Sequence, residues 1–189
     1  MTELVQTFRF AVRLTRASTP GPTGKPPPSP QALPGNLGPG PGTSRGRDRT
    51  PDQLGDGGFQ ECGGLELSAD IHDYLEGGRN DGVIRRVGRV KLVPVVLKRG
   101  MLMATPGGYA DIALWDWLHG MVRGGQPVPR YNGQVEVFDP AMRRVVARWS
   151  FYRGLPLKVT GPVLNAKTGE IAIEELQIAH EGLRLEATP

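Results

Sequence analysis

A stretch of 42 residues that is almost half glycine and proline separates a short N-terminal part of the chain from a longer C-terminal part. Glycine or proline occupies 20 of the positions from Ala17 to Gly58, and Leu33, Leu37 and Leu54 are the large apolar residues there. Such a stretch has too little apolar surface to bury a core of its own. We therefore predict a long loop, residues 17–58, inserted within one domain that spans residues 1–189.

The insertion is compatible with more than one role. It is a solvated linker, or an arm that packs on a neighbouring subunit. Its run Pro26–Pro30 also suits a polyproline helix of the kind that a partner domain recognises. The flanking strands remain able to pair, because closing a loop of about 40 residues costs only on the order of 3 kcal/mol.

Outside the insertion, apolar and polar residues alternate in several runs, as they do in half-buried strands. In the first run Phe8, Phe10, Val12 and Leu14 share one face. The further runs are Phe59–Cys62, Leu65–Ile71, Val83–Arg89, Lys91–Arg99, Tyr131–Phe138 and Val145–Leu155. A last run, residues 170–183, is ambiguous: its first part alternates like a strand, whereas its second part is also able to line one face of a helix.

One segment has the period of a helix instead. Apolar residues recur every three or four positions at Ile112, Trp115, Leu118 and Val122, Asp111 is a candidate N-cap, and glycines follow at 124 and 125. The pattern predicts one amphipathic helix of about three turns. The predicted fold is thus mainly β, an antiparallel β-sandwich or barrel of about six to eight strands with one amphipathic α-helix.

Charge and cysteine content exclude several classes of protein. The net charge of +4 is spread among both signs, so we expect no nucleic-acid recognition. The single cysteine, Cys62, forms no internal disulfide, which favours assembly in the cytoplasm. We see neither a secretory signal nor an apolar run long enough to span a bilayer, and we expect no membrane insertion.

Candidate chemistry is weak throughout. His72, His119 and His180 lack the short spacings of a metal site. The segment Pro20–Lys25 resembles a phosphate loop only superficially, because Thr19 stands where the first glycine belongs and Pro26 stands where a Ser or Thr is needed. Cys62 has no base motif nearby. We therefore expect no enzyme, no cofactor and no metal.

Six segments in order resemble the tail tube protein family of contractile phages and extracellular contractile injection systems. They are FQECGGLEL, YLEGGRND with IRRVGRVK, VLKRGM, LWDWL, WSFYRGLPLKVTGPVLNA and EIAIEELQIAHEGL. The resemblance covers the first strand and residues 59–185. It implies a β-sandwich or barrel that assembles as a homohexameric ring, with rings stacked into an inner tube. The implied partners are adjacent rings, the sheath, baseplate and spike proteins, and cargo in the lumen.

Two departures from the family pattern bear on the position in the tube. In this family the connection after the first strand is usually short, whereas here it is the insertion. A projection repeated on every subunit of the tube must avoid both the lumen and the sheath. The basic string Ile84–Lys91 and the segment Gly154–Pro156 favour the tube-initiator ring near the baseplate. The alternatives are the major inner tube subunit and, in another class, a monomeric β-sandwich binding module with a Pro-rich recognition arm.

The resemblance also suggests which residues contact neighbouring subunits. They belong to the hairpins around residues 77–89, to the helix and to the last strand region. The tryptophans of the helix serve core and interface packing. The carboxylates of the last strand region are candidate partners for the arginines on a neighbouring subunit. A solvated basic face is the alternative for each arginine. The candidates are Arg79, Asn80, Arg85, Arg86, Arg89, Trp115, Trp117, Glu174 and Glu175.

Overall fold

A computed structural model describes residues 9–17, 54, 58–75, 77, 82–103, 108–124, 127–167 and 169–186. Within these ranges the chain forms nine strands and one helix. In chain order they are β1 (Phe10–Arg16), β2 (Glu61–Gly63), β3 (Leu67–Tyr74), β4 (Ile84–Leu92), β5 (Val95–Gly100), α1 (Ala113–Arg123), β6 (Tyr131–Phe138), β7 (Val145–Thr160), β8 (Ile173–Ala179) and β9 (Gly182–Glu186).

Seven of the strands form one antiparallel sheet that bends at β7. The strand order is β1-β6-β7-β8-β5-β2, and β9 also pairs with β7. The first part of β7 pairs with β6 and β9, whereas its last part, Leu155–Thr160, pairs with β8. The change of partner falls beside Arg153, whose φ of 52° is unusual for a non-glycine residue. A long strand shared in this way makes the corner of a two-layered sandwich.

One hydrophobic core joins both halves of the bent sheet to the helix. Strands alternate buried and outward-facing positions, most regularly in β5, β6 and β8. The helix adds Leu114 and Trp117, and the Trp117 ring meets the Tyr131 ring edge-on at 4.9 Å between centroids. The other buried apolar residues of this core are Leu14, Leu54, Val95, Leu97, Phe151, Leu176 and Ile178.

The predicted antiparallel, mainly β fold with one helix is confirmed, in its sandwich form and not as a closed barrel. The order of the sheet ends at β1 and β2, which do not pair with each other in the described part of the chain. The ambiguous last run forms strands β8 and β9. In β8 the buried positions are Glu174, Leu176 and Ile178. Because one of them is a charged residue, the sequence does not show a continuous alternation of apolar and polar residues there.

The predicted helix is confirmed, but it buries a different face. Leu114 and Trp117 are its buried residues, whereas Ile112 and Val122 are exposed. The helix begins at Ala113, one residue later than a cap at Asp111 implies, although the Asp111 carboxylate still accepts the Ala113 N–H at 3.0 Å. No helix among the described residues is long and apolar enough to cross a membrane.

Strands β3 and β4 form a separate two-stranded sheet, here called the ribbon, that continues from β2 and β5. Gly64 and Pro94 lie at the joint. Gly64 has a φ of +74°, and a Cβ there would lie 2.0 Å from the Pro94 carbonyl oxygen, so glycine is required. The chain therefore turns between β2 and β3, in the gap between the predicted runs Phe59–Cys62 and Leu65–Ile71.

Most of the predicted insertion lies outside the described residues. Ala17, Leu54 and Gly58 are described, and Leu54 is buried in the core with its N–H donating to the Leu14 carbonyl at 3.2 Å. The end of the insertion is thus anchored beside β1. The single-domain organisation, with residues 17–58 as an insertion, remains a prediction.

Candidate subunit interface

One face of the ribbon is apolar and lies open to solvent within the described chain. Three cross-strand pairs make this apolar face: Leu67 with Leu92, Ala69 with Val90, and Ile71 with Val87. Ile71 is 56% exposed and Val87 75% exposed, although the two pair across the strands next to a register shift between Ala69 and Ile71. A two-stranded sheet with an uncovered apolar face is marginally stable in water, which indicates that another surface covers it.

The opposite face of the ribbon is polar, and an ion pair follows the apolar pairs toward the tip. Lys91 pairs with Asp70 at 2.7 Å, and Arg85 pairs with Asp73 at 3.4 Å. These ion pairs are solvent-exposed and contribute little to stability. The ribbon is therefore amphipathic, with one polar face suited to water and one apolar face that is not.

Two arginines of β4 have no carboxylate partner among the described residues. The Arg86 guanidinium lies over the Tyr74 ring, 4.9 Å from its centroid, in a cation–π contact. Arg89 is exposed and forms no ion pair with any described residue. The ribbon thus carries positive charge that its own acidic residues leave uncompensated.

A cleft lies at the other end of the sheet, where β7 ends and β8 begins. We call it the end cleft; it has a volume of about 290 Å³ and is lined by Thr160, Gly161, Pro162, Val163, Glu170, Ile171, Ile173 and Glu175. Val163 in its lining and Leu164 beside it are 96% and 85% exposed, and Ile171, also in the lining, is 78% exposed. Its lining holds two carboxylates and no cation. It is an apolar and acidic surface.

The ribbon and the end cleft lie at opposite ends of the same strands. Val95 pairs with Ile178 at the end of β5 where the ribbon begins, and Gly100 pairs with Ile173 at the end of β5 next to the cleft. Val95 and Gly100 are five residue steps apart, which is about 17 Å at ~3.4 Å per residue.

A buried ionic cluster holds the start of the helix against the sheet. The Arg99 Nε donates to the Glu174 carboxylate at 2.6 Å, and the Asp111 carboxylate lies 3.5 Å from the same guanidinium. The Trp115 indole N–H donates to the other Glu174 oxygen at 3.1 Å. Arg99 and Glu174 are each 1% exposed. Because a buried charge requires a partner, this cluster fixes how α1 docks on β5 and β8.

The structure places the predicted contact residues in three environments. Arg85, Arg86 and Arg89 lie exposed on β4 of the ribbon, and Glu175 lies on the outward face of β8, where it accepts from the Gln177 amide at 2.9 Å. Trp115, Trp117 and Glu174 make the intrachain contacts described above. Arg79 and Asn80 lie outside the described residues. No observation tests these residues as contacts between subunits, so that role remains a prediction.

Sequence reasoning missed the apolar face of the ribbon and the Arg99–Asp111 part of the cluster. The alternation of Leu67, Ala69 and Ile71 was visible, but alternation alone does not tell whether a face is buried by the same chain. For Arg99, a charged residue in register with Val95 and Leu97 was the available signal.

The described residues also bear on metal binding and thiol chemistry. They contain no group of three or more His, Cys, Asp or Glu side chains arranged to hold a metal ion. Burial raises the pKa of the Cys62 thiol to about 12. A thiol of that pKa is a poor nucleophile at neutral pH.

The bent sheet, helix and ribbon are shared with solved structures from contractile injection systems. The chain is similar to a protein of the anti-feeding prophage baseplate, with 18% identity over 98% of this chain and 97% of that chain and a TM-score of 0.68. It is similar to a protein of the sheath–tube complex of the extracellular contractile injection system PVC in the extended state, with 16% identity over 98% and 93% of the two chains and a TM-score of 0.65.

A third similar structure comes from the tube-terminating cap of the anti-feeding prophage, with 17% identity over 100% of this chain and 94% of that chain and a TM-score of 0.66. No curated protein sequence matches the chain significantly. The family model of the T4-like virus tail tube protein gp19 matches residues 6–184. The chain belongs to this family of structural tail tube proteins, as its motifs predicted.

Proposed function

We propose that this chain is the protomer of a homohexameric ring, and that such rings stack into the inner tube of a contractile injection system or phage tail. The observation that carries the proposal is the ribbon, whose exposed apolar face requires cover that the described chain does not provide. A chain whose regular secondary structure is completed only by another molecule is built for assembly.

The open edges of the sheet support ring formation. Strands β1, β2 and β9 each pair on one side only within the described residues. Unpaired edge strands favour uncontrolled association, and closing a ring edge to edge removes them. Obligate interfaces of this kind commonly bury more than about 2,000 Å².

The protomer does no chemistry in this proposal. It is assembled in the cytoplasm, its rings contact the sheath outside and the baseplate and spike proteins at one end, and the lumen is able to hold cargo. Stacked rings then transmit the thrust of the sheath as a rigid rod. The finer placement, in the tube-initiator ring rather than in the bulk of the tube, stays a prediction from the sequence.

Purification of the whole chain tests ring formation directly. We expect the mass from light scattering to correspond to six copies or multiples of six, and electron micrographs to show closed rings with a central hole. A matched variant replaces residues 18–50 by a short Gly-Ser linker and keeps the buried Leu54. We expect this variant to form the same rings.

Two outcomes would contradict the proposal. A chain that stays monomeric at the highest attainable concentration has no ring-forming edge. Rings lost on replacement of residues 18–50 would assign assembly to the insertion instead of the sheet. Copy number per native particle then separates an initiator ring from the bulk subunit, since one ring predicts six copies and a tube predicts many times that number.

A further inference from the structure

We propose that the polar face of strands β1, β6, β7 and β9 binds an acidic segment of another protein. We call this surface the arginine face; it consists of the side chains of these four strands that point away from the core. The inference goes beyond the ring-forming function, because it assigns a partner that is not a copy of this chain. It does not rest on ring formation, since all residues of the face belong to one chain.

Positive charge is concentrated on these four strands and the connections next to them. Residues 9–17, 127–154 and 180–186 contain nine arginines and four Asp or Glu residues, which is a net charge of +5, whereas the whole chain has a net charge of +4. The rest of the chain is therefore close to neutral. A surface with charge of one sign attracts partners of the opposite sign, and the arginine guanidinium binds a carboxylate through two parallel hydrogen bonds.

The strand register places two arginines at opposite margins of the arginine face. Arg13 pairs with Gln134, Gln134 with Ser150, and Ser150 with Arg184, so these four residues form one row across the four strands. Three strand spacings separate Arg13 from Arg184, about 14 Å at ~4.8 Å per spacing. Both side chains are exposed, and neither forms an ion pair with a described carboxylate.

The carboxylates of the neighbouring row already have partners on the same face. That row contains Glu136, Arg148 and Glu186 in register. The Arg148 guanidinium lies 2.7 Å from the Glu136 carboxylate and 3.7 Å from the Glu186 carboxylate, and the Ser150 hydroxyl donates to Glu186. These internal contacts leave the arginines at the two margins available for a carboxylate from another molecule.

The excess of cations continues at the end of the sheet where β1 ends and β6 begins. Glu181 accepts hydrogen bonds from Arg130 at 2.6 Å and from Arg153 at 2.8 Å, so two arginines share one carboxylate. Arg16, the last residue of β1, is exposed and pairs in register with Tyr131, next to Arg130. The arginine face therefore extends along the strands as well as across them.

The distribution of charge favours a peptide over a nucleic acid. A nucleic-acid strand carries a phosphate at every nucleotide, and these phosphates would meet Glu136 and Glu186 wherever the strand crossed their row. In an extended peptide, residues four positions apart are about 14 Å from each other. Two carboxylates at this spacing reach Arg13 and Arg184 together, while uncharged residues lie over the middle of the row. Electrostatic complementarity of this kind supplies specificity.

Fluorescence anisotropy with a labelled peptide tests the proposal on the whole chain. The peptide carries glutamate at every fourth position of a Gly-Ser sequence, and its matched control carries glutamine at the same positions. We expect the acidic peptide to bind at low ionic strength and the glutamine peptide not to bind. The double variant Arg13→Gln with Arg184→Gln should weaken binding by about tenfold, because two exposed ion pairs are lost.

A second double variant controls for the general loss of positive charge. Lys158→Gln with Lys167→Gln removes two exposed cations that lie outside the arginine face. We expect this variant to bind the acidic peptide as the unmodified chain does. Thermal unfolding of both double variants checks that the exposed substitutions leave the fold intact.

Other outcomes overturn the proposal in distinguishable ways. Equal binding of the two peptides, or equal weakening by the two double variants, would show that the arginine face does not recognise carboxylates. Tighter binding of a thymidine oligonucleotide of the same charge would assign the face to nucleic acid. An altered assembly mass in the arginine variant with unchanged peptide binding would assign the face to a contact between copies. Absence of rings with peptide binding retained would contradict the ring-forming function alone.

Discussion

The antiparallel pairs β7–β8 and β3–β4 follow the same local rules but have different surroundings. In β8 the residues of one face, among them Leu176 and Ile178, are fully buried by the chain's own second layer. In the ribbon, Ile71 and Val87 pair across β3 and β4 next to a register shift and remain more than half exposed. The comparison shows that alternation specifies a face to be covered but not the molecule that covers it.

Charged residues differ between the two pairs in the same way. In β8, the buried Glu174 carboxylate lies 2.6 Å from the Arg99 guanidinium and needs that partner. On the ribbon, Arg85 and Asp73 lie in solvent with side chains 75% and 54% exposed, and their ion pair is worth little. Charges in the sandwich therefore serve the fold, whereas charges on the ribbon are available for a partner.

The largest expected effect comes from the buried ion pair. Glu174→Gln removes the negative charge closest to the buried Arg99 guanidinium, so we expect it to lower the free energy of unfolding by about 3 kcal/mol. Glu175→Gln makes the same chemical change on the outward face of β8, and we expect a change within about 0.5 kcal/mol. Denaturant unfolding measures both. Equal losses would break the distinction between the two faces of β8.

Truncation of apolar residues sharpens the comparison of the two strand pairs. Leu176→Ala leaves a cavity in the core and should cost about 2 to 5 kcal/mol of unfolding free energy. Val87→Ala on the ribbon should cost less than about 0.5 kcal/mol in the unassembled chain, because the side chain is 75% exposed. Denaturant titrations at a concentration too low for assembly measure both values. A large loss for Val87→Ala would show that the ribbon is already covered within the chain.

The smallest expected effect is a pH dependence near the bend between β8 and β9. Burial lowers the pKa of His180 below its usual value of 6.5, against hydrogen bonds with the Val93 and Gly182 backbone that raise it. The unfolded chain then binds the proton more tightly than the folded chain. Stability from the neutral imidazole is therefore present above pH 6.5 and is lost as the pH falls below that value.

Thermal midpoints measured between pH 7.5 and pH 5 test this dependence. We expect the midpoint to fall over this range in the unmodified chain, with a smaller fall in His180→Gln, whose amide is able to replace the hydrogen bond to the Val93 carbonyl at 3.0 Å. Parallel curves for the two proteins would remove His180 as the cause.

Much of the fold was accessible from local patterns, and the errors have identifiable reasons. Tyr131–Phe138 was predicted with its observed bounds, because every second residue of β6 is buried by the sandwich. The buried face of α1 was mispredicted, since Trp115 and Leu118 share a helical stripe with the exposed Ile112 and Val122 while Leu114 faces the core. In β8, the buried carboxylate of Glu174 obscured the alternation because its partner Arg99 is 75 residues away in the chain.

By itself the sequence determined the class of fold, the strand-rich organisation, the single helix and the family, because these depend on short-range periodicity and on ordered motifs. Only the tertiary structure decided which apolar faces the chain covers itself. The core, the Arg99–Glu174 pair and the opposite placement of ribbon and end cleft arise from contacts between residues far apart in sequence, and no local pattern specifies which distant segments meet.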